Sequence, residues 1–158
     1  VEKGFKECMA KGPKMEYPVT GVKVVLNDGA SHSVDSSDMA FKAAAKGAFR
    51  EVYGRAKPVV HEPIMKVVVE TPNEFQGSVM GSLNQRRGLI VGSQDEGVMS
   101  VIEAEIPLSE MFGYSTVLRS LTQGKAQFTM EFATYREVPK SIAEELAKKA
   151  AEAKQHVA

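Results

Sequence analysis

The sequence lacks three features that would indicate a particular class of protein: a second cysteine, a net charge and a long apolar run. Cys8 is the sole cysteine, so no internal disulfide can form. Twenty basic and twenty acidic residues cancel, which gives no reason to expect indiscriminate binding to nucleic acid or anionic lipid. No run of about 18 apolar residues and no leader pattern occurs, so neither a membrane span nor a secretory signal is expected. Any contact with phosphate must therefore come from a local cluster.

The common catalytic and metal-binding motifs are also absent. A nucleotide-binding loop requires a glycine-rich turn that ends in Gly-Lys-Ser/Thr before a helix, whereas Gly124 and Lys125 are followed by Ala126 and lead into a strand pattern. Around Ser115, the pattern Gly-x-Ser-x-Gly lacks its last glycine. No histidines or cysteines are paired at zinc-ligand spacing. We therefore expect no catalytic residue, no metal and no cofactor in this chain.

Periodicity in the first third of the chain predicts a helix, a hairpin and a second helix. The helix covers Lys3 to Lys11, and the hairpin joins strands at 22–26 and 32–34 through Asn-Asp-Gly. Asp35 or Ser36 then caps the second helix. Its predicted apolar face comprises Phe41, Ala44, Ala48 and Val52.

From Pro63 onward, a strand, helix, strand rhythm occurs twice. Met65 to Val69 reads as a buried strand, and Thr71 as the N-cap of a helix that ends at Arg-Arg-Gly88. Two strands follow at 89–91 and 98–106, then a helix from Leu108 to Leu121 and a last strand. The order βαββαβ predicts an α+β, ferredoxin-like domain. A helical tail after Pro139 is predicted to bury Ile142, Ala143, Leu146 and Ala150.

The aromatic residues of this second region are predicted to be core rather than ligand-binding. They occupy the apolar stripes of the helices and of the last strand: Phe75, Phe112, Phe128 and Phe132. The strands at 89–91 and 98–106 carry no aromatic residue. Stacking of RNA bases on the sheet, as RNA-recognition modules use, is therefore disfavoured.

Three segments, in order, resemble the elongation factor G family, the bacterial translocation GTPases. They are DSSDMAFK (35–42), EPIMKV with LNQRRG (62–67 and 83–88), and SEMFGYSTVLRSLTQGKAQFTMEF (109–132). The resemblance implies three parts. Residues 1–58 are the C-terminal half of a fourth domain, a partial βαββα fold like ribosomal S5 domain 2, residues 62–138 are the ferredoxin-like fifth domain, and residues 139–158 form a C-terminal helix.

The resemblance also implies where the chain contacts large-subunit rRNA. The family's contact with the sarcin-ricin loop lies in Leu-Arg-Ser-x-Thr-Gln-Gly, which stands here at 118–124 and assigns Arg119, Ser120 and Gln123 to RNA binding. Lys125 follows where the family commonly has Arg, so a basic group is kept but a bidentate one is lost. From spacing alone, a solvated helix end explains the same residues.

Arg86 and Arg87 match the family's Arg-Arg-Gly helix end, which implies contact with rRNA or with the stalk-base protein, although helix termination explains them equally well.

The parent would bind GTP and Mg²⁺ and would reach tRNA and mRNA through a fourth-domain tip expected before Val1. We expect a cytoplasmic monomer. Two alternatives stay open: a paralogue specialised in ribosome recycling, and a free-standing ferredoxin-like regulatory or scaffold module.

Overall fold

The structure, a computed structural model, describes residues 1–13 and 15–155, the last two of these by their backbone alone. The predicted C-terminal helix of 139–158 thus includes three residues, 156–158, that lie outside the described part. The chain forms two compact units, one made of Val1–Val59 together with the residues from Pro139 onward, and one made of Val60–Val138. Within the described residues, every helix is too short or too polar to cross a membrane.

The first unit contains two helices that pack against each other, α1 (Glu2–Ala10) and α2 (Asp38–Tyr53). Gly4 allows the close approach, because a Cβ at this position would lie 2.9 Å from the Cβ of Ala45. Phe5 and Phe49 meet edge to face with their ring centroids 6.2 Å apart. Glu7 of α1 also pairs with Lys42 and Lys46 of α2, at 3.4 and 2.6 Å, so close packing, an aromatic contact and ion pairs all join the two helices.

Two predictions for this unit are wrong. The described residues 15–37 contain no strand, and Val24 and Leu26 are exposed, because an alternating pattern forms a strand only where a neighbour satisfies its backbone. The predicted apolar face of α2 is also exposed, and Ala45 and Phe49 are buried instead because α1 packs on that side. The helix cap lies slightly later than predicted, at Ser37, whose hydroxyl accepts a hydrogen bond from the Ala40 amide at 3.0 Å.

The last helix, α6 (Lys140–Gln155), belongs to the first unit. The predicted apolar side of this helix is confirmed. Its residues are half-buried, whereas the residues beside them are exposed. The half-buried residues are Ile142, Ala143, Leu146 and Ala150. An ion pair between Glu145 and Lys149 joins successive turns on the exposed side at 3.5 Å.

The second unit is a four-stranded antiparallel sheet in the order β2, β3, β1, β4. Its elements in chain order are β1 (His61–Pro72), a 3-10 turn (Asn73–Phe75), α3 (Gln76–Gln85), β2 (Leu89–Glu96), β3 (Met99–Pro107), α4 (Leu108–Met111), α5 (Tyr114–Leu121) and β4 (Gln127–Glu137). The central strands pair Val67 with Ala104, and β4 adds Met130 on the other side of Val67. This arrangement confirms the α+β class and the βαββαβ order.

The core of this unit lies between the sheet and its helices. Alternate residues of the strands face inward, and Val67, Val69 and Ile102 are fully buried. The helices contribute Val79, Leu83, Met111, Tyr114 and Leu118. The opposite face of the sheet is polar, with Glu103 paired to Lys66 at 2.9 Å. The layer of helices therefore covers one face of the sheet and leaves the other face open.

Local predictions at both ends of α3 are wrong. Thr71 is not a cap, because β1 continues to Pro72 and Thr71 is fully buried in the sheet opposite Ser100. Arg87, not Gly88, takes the left-handed conformation, with φ +60°. Gly88 serves a different need: its amide donates to the Leu83 carbonyl, and a Cβ would lie 2.6 Å from that oxygen.

The predicted helix from Leu108 to Leu121 is broken, and two aromatic residues predicted to be core are exposed. Phe112 is extended and Gly113 has φ +76°, so the segment divides into α4 and α5. Phe112 is 75% exposed and Phe132 54% exposed. Phe75 and Phe128, by contrast, pack against the core as predicted. Met111 and Tyr114, on either side of the break, are the residues of this segment that enter the core instead.

Candidate functional site

The C-terminal end of α5 is fixed from inside by Thr122. This side chain is fully buried, and its hydroxyl donates to the Leu118 carbonyl at 2.7 Å and accepts from the Ala126 amide at 3.3 Å. The Thr122 amide also donates to the Leu118 carbonyl at 3.0 Å. One residue thus joins the last turn of α5 to the approach of β4, and the helix end is rigid.

The chain leaves α5 through two successive residues with positive φ. Gln123 has φ +54° and Gly124 φ +76°, and the Gly124 amide donates to the Arg119 carbonyl at 2.8 Å. This hydrogen bond, which spans six residues, is characteristic of a Schellman motif. The left-handed position of that motif, here Gln123, is usually taken by glycine. Glutamine at that position costs backbone energy, and strained residues of this kind cluster at functional sites.

The structure brings three predicted RNA-binding residues together on this helix end. Arg119, Ser120 and Gln123 are all exposed. No ion pair or side-chain hydrogen bond within the described part of the chain engages any of the three. A guanidinium, a hydroxyl and an amide therefore lie on one rigid terminus with their hydrogen-bonding groups available to a ligand.

Lys125 lies beside this group, but its ammonium has internal partners. Its Nζ lies 3.3 Å from a carboxylate oxygen of Glu74 and 5.6 Å from the ring centroid of Phe75. Both partners belong to the 3-10 turn that precedes α3. Because the pair is largely exposed, it contributes little stability, and the ammonium can turn toward a phosphate.

Arg86 and Arg87 are both half-buried and are held by internal acceptors. Arg86 donates to the Glu110 carbonyl, and its guanidinium carbon lies 5.2 Å from the ring centroid of Tyr114. Arg87 binds the Glu62 carboxylate through both terminal nitrogens, with Nη1 at 3.2 Å from Oε2. These contacts tie the end of α3 to β1 and to the start of α5.

The two groups of predicted residues lie at opposite ends of the helical layer. Arg86 contacts Tyr114, the first residue of α5, whereas Arg119 and Gln123 stand at its last turn. Eight helical residues span about 12 Å at 1.5 Å per residue. The structure therefore separates the predicted set into a free group at one end of α5 and an internally bonded pair at the other.

Charge is distributed unevenly over the second unit. The sequence from 111 to 130 contains no carboxylate and two cations, Arg119 and Lys125. The open face of the sheet instead carries four glutamates: Glu70, Glu103, Glu105 and Glu131. The hydrogen bond to Glu103, with the charge of that carboxylate, raises the pKa of Lys66 on this face. Lys66 and Arg136 pair with two of these glutamates, Glu103 and Glu105, so the open face keeps a negative balance and a polyanion is favoured at α5 over the sheet.

Phe112 lies on the surface, although its place in the helix pattern predicted a core residue. It is anchored between two buried neighbours, Met111 and Tyr114, and Gly113 supplies the turn that exposes its ring. The glycine was the available signal, because a left-handed residue inside a helix pattern breaks the helix. The face of α5 between Phe112 and Arg119 carries exposed Ser115 and Thr116.

No other cluster in the described part of the chain offers an alternative chemistry. Over residues 1–13 and 15–155, no group of three metal-binding side chains comes together. Cys8 is a free, half-buried thiol on α1. Tyr114 lies in the core with its hydroxyl 3.2 Å from Ser82, and burial raises the pKa of this phenol. The exposed end of α5 is therefore the candidate site.

Two family models match successive parts of the chain. The model described as elongation factor G, domain IV, matches residues 1–57, and the model described as elongation factor G C-terminus matches residues 59–146. A solved structure from Thermus thermophilus superimposes with a TM-score of 0.87 at 42% identity, over 96% of this chain and 23% of that chain. This likeness agrees with the α+β fold described above.

Relatives in other bacteria are similar over nearly the whole chain. Elongation factor G 1 of Syntrophus aciditrophicus is 73% identical over 99% of this chain and 23% of that protein. Elongation factor G 1 of Treponema pallidum is 60% identical over 93% of this chain and 21% of that protein. The chain thus spans less than a quarter of the length of these relatives. It belongs to the elongation factor G family of translation factors.

Proposed function

We propose that this chain is the ribosome-binding C-terminal portion of a bacterial translation elongation factor, and that α5 carries its contact with large-subunit rRNA. The observation that supports this most is the exposed, unengaged group of Arg119, Ser120 and Gln123 on a rigid helix end. An arginine fork suits a phosphate or a guanine edge, while the hydroxyl and the amide suit sugar and base edges. By resemblance, the RNA element is the sarcin-ricin loop.

The proposed division of the chain follows the same resemblance. Residues 1–58 are part of the fourth domain, residues 62–138 are the fifth domain, and residues 139–158 are a C-terminal helix. The boundary near residue 59 is supported by the two matched models and by the compact unit Val60–Val138, whereas the residues from Pro139 onward group with the first unit. GTP and Mg²⁺ would be bound elsewhere in the parent, where hydrolysis drives movement of tRNA and mRNA, and this portion would act by binding rather than by catalysis.

The remaining predicted contacts belong to the same proposal. Lys125 adds positive charge next to the free group and reaches phosphate once its exposed pair with Glu74 opens. Arg86 and Arg87 lie at the other end of α5, where their guanidinium groups already contact Tyr114 and Glu62. They would contact rRNA or the stalk-base protein through the outer edges of these groups. The protein would act as a cytoplasmic monomer with the ribosome as its partner.

Substitution of Arg119 tests the proposal. In the protein that carries this chain, Arg119→Ala should weaken ribosome binding by about 10-fold, since a hydrogen-bonded charge contact is worth about 1–3 kcal/mol. It should also reduce the slope of log K against log salt by about one unit. Arg119→Lys should keep most of the slope while losing part of the affinity, because charge is retained and the fork is lost.

Arg136→Ala is the matched control. Arg136 is an arginine of the same unit, paired with Glu105 at 2.6 Å. Its removal should leave both the affinity and the salt slope unchanged. Unchanged binding by Arg119→Ala, or an equal loss in the control, would contradict the assignment of α5 as the RNA contact.

A further inference from the structure

Phe112 is held outward by the fold rather than left loose on the surface. Met111 before it and Tyr114 after it are buried, and Gly113 has the left-handed φ of +76° that exposes the intervening ring. The ring is 75% exposed. Phe132, the other strongly exposed phenylalanine of this unit, contacts a neighbouring tyrosine ring, whereas no ring contact in the described part of the chain involves Phe112.

Exposure alone would mean little, because single apolar residues are common on protein surfaces. The surroundings of Phe112 make it informative. The surface of α5 from Ser115 through Thr116 to Arg119 is exposed, rich in hydroxyls and free of carboxylates. An apolar ring at one end of such a surface and a guanidinium at the other match the two groups with which proteins hold single-stranded nucleic acid, stacking and charge.

We infer that Phe112 is a further RNA-binding residue, one that stacks on an unpaired base of the same folded rRNA element. The inference rests on the proposed function and extends its footprint along the whole of α5. A phenylalanine ring offers a π-face and no hydrogen-bonding group, so it holds a base without reading its identity. Phe112 precedes α5 and Gln123 follows it, and the helix between them is about 12 Å long, a length that a few nucleotides of an irregular loop can bridge.

A series of substitutions at position 112 distinguishes stacking on a base from simple apolar contact. In the protein that carries this chain, Phe112→Ala should weaken ribosome binding by about tenfold, within the range measured for loss of one base-aromatic stack. Phe112→Trp should bind at least as well as the original, whereas Phe112→Leu should bind nearly as weakly as the alanine variant. Val98→Ala is the matched control, because Val98 is 80% exposed on the β2–β3 turn of the same unit. It should bind normally.

A photoreactive benzoylphenylalanine at position 112 identifies the partner directly. A cross-link to rRNA supports the inference, and a cross-link to a ribosomal protein overturns it. Full affinity in Phe112→Leu also overturns it, because an aliphatic side chain preserves apolar contact but cannot stack. If Arg119→Ala weakens binding while Phe112→Ala does not, the proposed function stands and the extended footprint fails. If neither variant weakens binding, both proposals fail.

Discussion

Gln123 allows stability and ribosome binding to be changed in opposite directions by one substitution. Its backbone lies in the left-handed region, with φ +54°. A residue other than glycine costs about 1–3 kcal/mol in such sparsely populated conformations. Glycine relieves that strain but loses about 0.5–1 kcal/mol through the larger entropy of its unfolded chain. We therefore expect Gln123→Gly to raise the free energy of unfolding by about 1 kcal/mol.

The same substitution removes the amide that is proposed to bind RNA. Loss of one neutral hydrogen bond of about 1 kcal/mol corresponds to roughly fivefold weaker ribosome binding. Gln123→Ala is the companion variant, because alanine loses the amide yet keeps the strain of a left-handed residue with a Cβ. It should match Gln123→Gly in binding and the unchanged protein in stability.

Two measurements decide the outcome for Gln123. Urea or thermal unfolding followed by circular dichroism gives the stability, and a gain of about 1 kcal/mol corresponds to about 4–8 °C in a domain of 60–100 residues. Sedimentation with ribosomes gives the affinity. If Gln123→Gly lowers stability, the argument from strain is wrong. If it binds as well as the unchanged protein, the glutamine amide is not part of the interface.

Two further predictions concern the stability of the second unit. Arg87→Ala should lower the free energy of unfolding by about 1–3 kcal/mol, because it leaves the Glu62 carboxylate, 12% exposed, without its charge partner. Adding Glu62→Gln should restore part of that loss, and a strictly additive double mutant by urea unfolding would argue against the pair. Stability should also fall above about pH 10, where the tyrosines of the unfolded chain ionise while burial keeps Tyr114 protonated in the folded state. Tyr114→Phe should reduce the alkaline slope by up to about 1.4 kcal/mol per pH unit, and identical slopes in the two proteins would contradict the raised pKa.

The parts of the fold that the sequence predicts correctly depend on regular periodicity. The stripe of Val79 and Leu83 identified α3, and the alternation of Ile102 with its neighbours identified β3, because these patterns persist over several turns or residues. The paired half-buried positions of α6, such as Ile142 and Leu146, follow the same logic. Local patterns therefore predict the order and type of elements in the second unit.

The errors arise where distant residues decide the local structure. Thr71 has the sequence context of a helix cap, yet its place opposite Ser100 in the sheet extends β1 beyond it. The exposed end of α5 follows a similar rule. The sequence motif predicted Arg119 and Gln123 as site residues. Only the structure shows that the buried Thr122 hydroxyl bonds the Leu118 carbonyl beneath them and that Arg86 lies at the other end of the helix.

A comparison of the two main helix ends of the second unit explains why Gln123 is the informative residue. Both α3 and α5 end with a left-handed residue other than glycine followed by glycine, at Arg87 and at Gln123. In α3 the strain has an internal reason, because the Arg87 side chain is thereby placed on Glu62. In α5 the same backbone conformation presents an amide that contacts no acceptor or donor within the described part of the chain. Since a glycine would close this turn with less strain, the glutamine at this position supports the RNA contact proposed for α5, which would use its amide.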